Sequence, residues 1–99
     1  MHTPPDARQA QVLRHHSDVV SSRLGDAGVL VNLRTNRILE LNATGIRIWE
    51  LIGEGLSMNV IADRLRGEFD VTAAEVAPEL ARLVDELVRE GLVDAVGGD

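Results

Sequence analysis

Few side chains in this sequence have the type and spacing that catalysis or metal binding requires. The chain contains no cysteine, which excludes disulfides, thiolate metal sites and cysteine nucleophiles. Its three histidines are His2, His15 and His16, and the adjacent pair would point in opposite directions in an extended segment. The serines that follow them lack the G-x-S-x-G context of a nucleophile elbow. The sequence therefore predicts no catalytic residues, no bound metal and no cofactor.

The glycine patterns are equally weak as nucleotide or RNA sites. The G-E-G segment at 53–55 lacks the third glycine and the preceding strand of a dinucleotide-binding loop. Gly25 and Gly28 have the spacing of a single-stranded RNA clamp, but they lie between predicted strands and enclose the acidic Asp26. Neither pattern predicts a binding site.

The overall charge argues against a nucleic-acid partner. The 99-residue chain carries a net charge of −6, and its ten basic residues are scattered arginines. Nucleic-acid binding needs a basic patch that neutralises phosphates, and the sequence has none. No apolar run approaches the length of a membrane span, and the N-terminus lacks a signal-type apolar stretch. We expect a single domain, located in the cytoplasm, without a membrane partner.

The elements that would position any site begin with a predicted three-stranded antiparallel meander. Strand-forming residues separated by turn signals place the strands at about 18–24, 28–34 and 37–41. Alternation along the strands predicts that Val29, Val31 and Leu33 point inward in the second strand. The same argument predicts an inward Leu39 and Leu41 in the third strand.

From Asn42 onward the apolar period becomes helical. Asn42 or Thr44 can cap a first helix, in which Trp49 lies on the apolar side and is expected to be structural. Ser57 caps a second helix that ends near Gly67. The third helix runs from a predicted capping box at 72–75 to residue 90.

These elements predict an α+β fold of the winged helix-turn-helix type, with a three-stranded antiparallel sheet followed by three helices. The predicted organisation is a flexible N-terminal tail at 1–17, a folded domain at 18–94 and a C-terminal tail at 95–99.

The third helix carries an apolar surface that is wider than one core contact requires. One stripe consists of Val76, Leu80, Leu83 and Leu87, and a second stripe consists of Ala77, Ala81, Val84 and Val88. The helix could pack against two elements of its own domain. Alternatively, the first stripe faces the core and the second lines a groove.

The third strand is predicted to be an edge strand that is open to a partner. It contains no proline, no lysine and no obvious bulge, which are the usual protections of an exposed edge. An open edge beside surplus apolar surface suits the addition of an extended peptide as a further strand. The polar N-terminal tail could instead cover this edge.

A DNA-binding regulator is the main alternative, because strands followed by three helices can form a winged helix-turn-helix. The first turns of the third helix would then face the major groove. They carry Glu75 and Glu79, and no basic residue precedes Arg82. Such a surface repels phosphate. A third alternative is a structural subunit that dimerises through the open edge, and we expect a monomer or a weak homodimer.

Two segments of the chain carry patterns that resemble a known family. The first contains L-N-A-T-G-I-R-I-W at 41–49, and the second has I-A-x-x-L, F-D-V and G-L-V blocks between residues 61 and 93. Both resemble the PqqD-like proteins, which include the pyrroloquinoline quinone biosynthesis chaperone and leader-binding proteins of lasso-peptide and mycofactocin-type pathways. The resemblance covers roughly residues 18–94. Many relatives have glycine where this chain has Asn36, and the turn is compatible with either.

The resemblance implies a precursor-peptide recognition element, a non-catalytic domain that binds the leader of a ribosomally synthesised precursor peptide. The implied partners are that precursor and a modifying enzyme, such as a radical-SAM protein, a leader peptidase or a cyclase. In this family the leader adds beside the third strand and packs against the third helix. The peptide-binding residues carried over are Arg37, Ile38, Leu39, Glu40, Leu41, Leu80, Ala81, Val84, Asp85 and Val88.

Overall fold

A computed structural model describes residues 11–96 of the chain. The strands are β1 (Leu13–His15), β2 (Val19–Leu24), β3 (Ala27–Asn32), β4 (Arg37–Leu41) and β5 (Val93–Ala95). The helices are α1 (Ala43–Gly53), α2 (Met58–Phe69) and α3 (Ala73–Arg89). Strands β2, β3 and β4 form an antiparallel sheet in that order, so the predicted α+β architecture is confirmed.

Each helix begins at a side chain that accepts a hydrogen bond from the first turn. Asn42 caps α1 and Ser57 caps α2. Thr72 and Glu75 form the predicted capping box of α3, in which each side chain accepts from the other's backbone N–H. Helix α2 continues past its predicted end and stops at Asp70, whose backbone is left-handed with φ 54°.

The sheet packs on the helices through a different face of β3 from the one predicted. The expected inward row was Val29, Val31 and Leu33, but Leu33 is 56% exposed. The buried positions are 28, 30 and 32 instead, so this prediction is wrong. In β4 the prediction is correct, because Leu39 and Leu41 are the more buried residues and pair with that inward row.

Tertiary contacts decide which face of β3 is buried. Gly28 packs directly on α1, where a Cβ atom would collide with the side chain of Ile46. Asn32 is buried because its carboxamide is hydrogen-bonded: Nδ2 donates to the Glu90 carbonyl at 3.1 Å, and Oδ1 accepts from the Arg34 N–H at 2.9 Å. Gly28 and Asn32 therefore face the core, although the alternation of apolar residues predicted that Val29 and Val31 would do so.

Trp49 of α1 lies in the aliphatic core, as the sequence predicts, and is 2% exposed. The His15 ring stacks on its indole with a centroid separation of 3.5 Å and an interplanar angle of 4°. His15 Nε2 also donates a hydrogen bond to the Trp49 carbonyl at 2.7 Å. Burial lowers the pKa of His15, and this hydrogen bond opposes that shift. The pair fastens β1 to α1.

The two ends of the described chain meet in a second sheet, where β1 pairs antiparallel with β5. Residues 13–15 and Ala95 were expected to belong to tails, yet they are the strands of this sheet. Leu13 is 1% exposed and belongs to the core cluster, where β1 packs on α1, and its antiparallel partner Ala95 comes from the far end of the described chain. A three-residue strand has too little periodicity to be identified without that partner. Residues 1–10 and 97–99 of the predicted tails lie outside the described residues.

Candidate functional site

The open side of β4 is the starting point of the candidate site. Within residues 11–96, β4 pairs with β3 on one side and with no strand on the other. The backbone N–H and C=O groups of alternate β4 residues therefore point away from the sheet without a strand partner. The first residues of this open edge lie beside the end of α3, next to Glu86 and Glu90.

An ion pair between Arg37 and Glu90 links the first residue of β4 to the C-terminal end of α3. Arg37 Nε lies 2.8 Å from Glu90 Oε1, and Arg37 Nη2 lies 3.0 Å from Glu90 Oε2. This bidentate contact constrains the orientation of the two side chains as well as the distance between them. A cavity of about 90 Å³ lies here, and its lining residues are Asn32, Arg37, Ile38, Leu39, Glu86, Glu90 and Leu92.

A larger cavity lies at the other end of the strand, where β4 gives way to α1. Its volume is about 300 Å³, and α1, α2 and the first half of α3 enclose it. Its lining residues are Asn42, Thr44, Ile48, Leu65, Phe69, Val71, Glu75, Val76, Glu79 and Leu80. The apolar part of this lining could accept a buried side chain, and the polar part could bind a backbone or a hydroxyl group.

The two cavities lie at opposite ends of β4, which runs antiparallel to α3: Arg37 and Glu90 line one cavity, and Asn42 and Glu79 line the other. Five strand residues of β4 extend about 17 Å. The helical rise from Glu79 to Glu90 is about 16 Å, which matches that length. Leu83 lies between these two glutamates on the helix, and Leu39 and Leu41 face inward from β4. We call the region between β4 and this flank of α3, with one cavity at each end, the β4–α3 groove.

Glutamates dominate the electrostatics of the groove on its helix side. Glu75, Glu79, Glu86 and Glu90 follow one another along this flank of α3. Arg82 donates to Glu79 at 2.8 Å and lies 3.7 Å from Glu86. The Glu79 hydrogen bond is the main reason why the pKa of the Arg82 guanidinium is raised. Arg82 and Arg37 therefore balance two of these four negative charges, and the flank keeps a net negative charge.

Three of the five strand residues predicted to bind a peptide line the smaller cavity. Arg37, Ile38 and Leu39 surround the smaller cavity, and Leu41 is buried at the base of the strand. Glu40 is exposed and points to the outer face of the sheet, because it alternates with the inward leucines on either side.

The predicted helix residues are divided between two surfaces. Leu80 lines the larger cavity. Val84 is 8% exposed and belongs to the core cluster. Ala81, Asp85 and Val88 are exposed, and the helical repeat places Ala81 and Val88 on the flank opposite the glutamates that face β4. The wide apolar arc of α3 is explained by its packing against both α2 and β5.

The glutamates of the groove are the residues that the sequence did not single out. Glu79, Glu86 and Glu90 were assigned to a solvated helix face, because glutamates at a spacing of three and four residues are typical of exposed surface. The one sequence feature that could have identified these glutamates as groove residues is their spacing on either side of Leu83. The side of a helix that faces a strand depends on tertiary packing, which the helical repeat alone does not specify.

Metal-binding clusters and membrane-spanning helices are both absent from the part of the chain that the structure describes. No cluster of three or more His, Cys, Asp or Glu residues there could hold a metal ion. No described helix has the length and apolarity needed to cross a membrane.

A small α+β domain with an open edge strand beside a helix and two cavities has the architecture of a peptide-recognition domain. The chain belongs to the family of coenzyme PQQ synthesis protein D (PqqD), whose family model matches residues 27–93. The resemblance found in the sequence is thereby confirmed.

Two solved structures illustrate this similarity. One is described as TbiB1 in complex with the TbiA(beta) leader peptide; it is 30% identical, the match covers 87% of this chain and 98% of that chain, and the TM-score is 0.74. The other is a lasso peptide synthetase B1 complexed with the leader peptide; it is 23% identical, with 83% and 96% covered and a TM-score of 0.73, and it supports the fold. No curated protein was found to match the chain.

Proposed function

We propose that this chain is a recognition element that binds the leader segment of a ribosomally synthesised precursor peptide in the β4–α3 groove. The observation that carries the proposal is the open edge of β4 beside two cavities. Two similar structures are described as complexes with leader peptides, which supports the same ligand class. The protein performs no chemistry on the peptide and delivers it to a modifying enzyme in the cytoplasm. That enzyme is of the radical-SAM, leader-peptidase or cyclase type.

The leader adds to the sheet as a strand beside β4. Its backbone pairs with the outward N–H and C=O groups of residues 37–41, which provides affinity independent of sequence. Every second side chain then points into the β4–α3 groove. The larger cavity accepts an apolar side chain near Phe69 and Leu80, and the smaller one accepts a side chain beside Glu86.

Selection of peptides on the immobilised chain tests this proposal without knowledge of the natural precursor. A phage-displayed library of random dodecapeptides is enriched on the full chain, and amide hydrogen exchange is then measured with a selected synthetic peptide. We expect slower exchange in β4 and unchanged exchange in β2. Strand β2 is the internal control, since it is the other outer strand of the same sheet. Selected peptides that leave β4 exchange unchanged would contradict the proposed site.

A further inference from the structure

The outer face of the three-stranded sheet carries two cross-strand rows that end at the open edge. In the first row Val20 pairs with Val31, and Val31 pairs with Ile38. In the second row Ser22 pairs with Val29, and Val29 pairs with Glu40. Both rows therefore end on β4, and the next side chain in each row would belong to an added strand.

The end residues of the two rows differ in chemistry, and both are accessible. Ile38 is 65% exposed and continues the half-buried Val31 and the 49% exposed Val20 as an apolar row. Glu40 is exposed at the end of a row that holds no cation. A strand added to β4 would cover Ile38 and would place a side chain directly opposite Glu40.

Glu40 also differs from three of the four glutamates of the β4–α3 groove, which form ion pairs. Glu79 and Glu86 contact Arg82, and Glu90 is bound to Arg37. Glu40 has no ion pair with any residue between 11 and 96. No described residue therefore neutralises its charge, which a basic side chain of a bound ligand would do.

We propose that the outer face selects the leader through Ile38 and Glu40, which favour a β-branched or aromatic residue beside Ile38 and a lysine or arginine beside Glu40. This inference rests on the proposed strand addition at β4. Because Ile38 and Glu40 are two positions apart on one face, the two leader residues are also two positions apart. This spacing holds for a parallel and for an antiparallel leader.

The energies of cross-strand side-chain pairs in sheets give the expected size of the preference at Ile38 and Glu40. Directly opposed side chains have Cβ atoms about 5 Å apart, which brings a lysine or arginine side chain within reach of the Glu40 carboxylate. An apolar or oppositely charged pair of this kind changes affinity by about two- to fivefold. Replacing the cation with an anion reverses the sign of the interaction, so the expected loss is about three- to tenfold.

The test compares peptide selection on three forms of the full chain. The random dodecapeptide library is enriched on the unchanged chain, on Glu40→Lys and on Glu54→Lys. Glu54 is a matched control, because it is exposed at the end of α1 remote from β4 and its substitution changes net charge equally. We expect the unchanged chain and Glu54→Lys to select a basic residue two positions from a β-branched or aromatic one. Glu40→Lys should select an acidic residue there instead.

A binding measurement with one selected peptide completes the design. Changing its basic residue to glutamate should weaken calorimetric binding to the unchanged chain about three- to tenfold, and Glu40→Lys should restore it. Ile38→Thr, which keeps β-branching but removes apolar surface, should weaken selection of the apolar residue only.

The possible failures separate the two proposals. If peptides protect β4 but Glu40→Lys selects the same residues as the unchanged chain, the outer-face inference is overturned and peptide binding stands. Glu40 is then a charge that discourages edge-to-edge pairing. If the unchanged chain enriches no peptide, or its peptides leave β4 unprotected, the proposed function fails and the inference fails with it.

Discussion

At the scale of single residues, Trp49 is the largest fully buried side chain among the described residues. Its side chain is 2% exposed and stacks on His15 inside an otherwise aliphatic core. Trp49→Ala should lower the free energy of unfolding by about 3–5 kcal/mol, because it removes a large buried side chain and leaves a cavity. Urea unfolding followed by far-ultraviolet circular dichroism measures this loss. Trp49→Phe, which keeps an aromatic ring for the stack, should lose less. An unchanged midpoint for the alanine variant would show that the indole is not buried.

His15 makes the stability of the domain depend on pH. Burial lowers its pKa from the ordinary value of 6.5, so the folded state binds a proton less readily than the unfolded state. The contribution of neutral His15 to stability is complete above pH 6.5 and is lost as the pH falls through the folded-state pKa. We therefore expect unfolding midpoints that decrease on acidification below this pH.

The matched variant for this pH effect is His15→Phe. It keeps a ring against Trp49 and removes the titrating group, so the decrease between neutral and mildly acidic pH should become shallower than in the unchanged chain. Equal pH slopes for both proteins, measured by urea unfolding across this range, would exclude His15 as the source.

At the scale of elements, one flank of α3 packs in the core and another flank lines the β4–α3 groove. Val84 is 8% exposed, whereas Ala81 on the same helix is exposed. Val84→Glu should cost a few kcal/mol in unfolding free energy, because it buries a carboxylate without a partner. Ala81→Glu, which introduces the same group at the surface, should change stability by less than about 0.5 kcal/mol.

The same pair of variants distinguishes the flanks of α3 in binding. Ala81 lies away from β4, so Ala81→Glu should bind a selected peptide as tightly as the unchanged chain. If this folded variant lost binding, the leader would be inferred to contact the flank of α3 that contains Ala81, as the sequence predicted. Leu80 is the better candidate for leader contact, because it lines the larger cavity beside Glu79.

At the scale of the whole molecule, charge determines which partners are excluded. The net charge is −6, and the flank of α3 beside β4 carries glutamates along its length. We predict no binding to a mixed-sequence DNA duplex at physiological salt, because phosphate contacts need unpaired basic side chains. Fluorescence anisotropy with a labelled duplex measures this. Binding below micromolar concentration with a steep salt dependence would instead support a DNA-binding regulator.

The sequence by itself determined the features that depend on neighbouring residues. Asn42, Ser57 and the Thr72–Glu75 box predicted the starts of the helices, because each cap is made within one turn of the chain. The meander was predicted from strand formers and turn residues, and β4 was correctly expected to be an outer strand. The family resemblance was also present in local patterns, above all in the block that ends at Trp49.

Only the tertiary structure decided which surfaces face each other. Gly28 and Asn32 turn inward because Ile46 and the end of α3 provide packing and hydrogen bonds from distant segments. Leu13 is buried because β1 packs on α1 in the core, and β1 is a strand because β5 pairs with it from the far end of the described chain. The glutamate flank of α3 faces β4 because the adjacent apolar arc is already used by α2 and β5. A periodic pattern shows that a strand or helix has two faces, but the partner of each face is set by contacts between residues far apart in sequence.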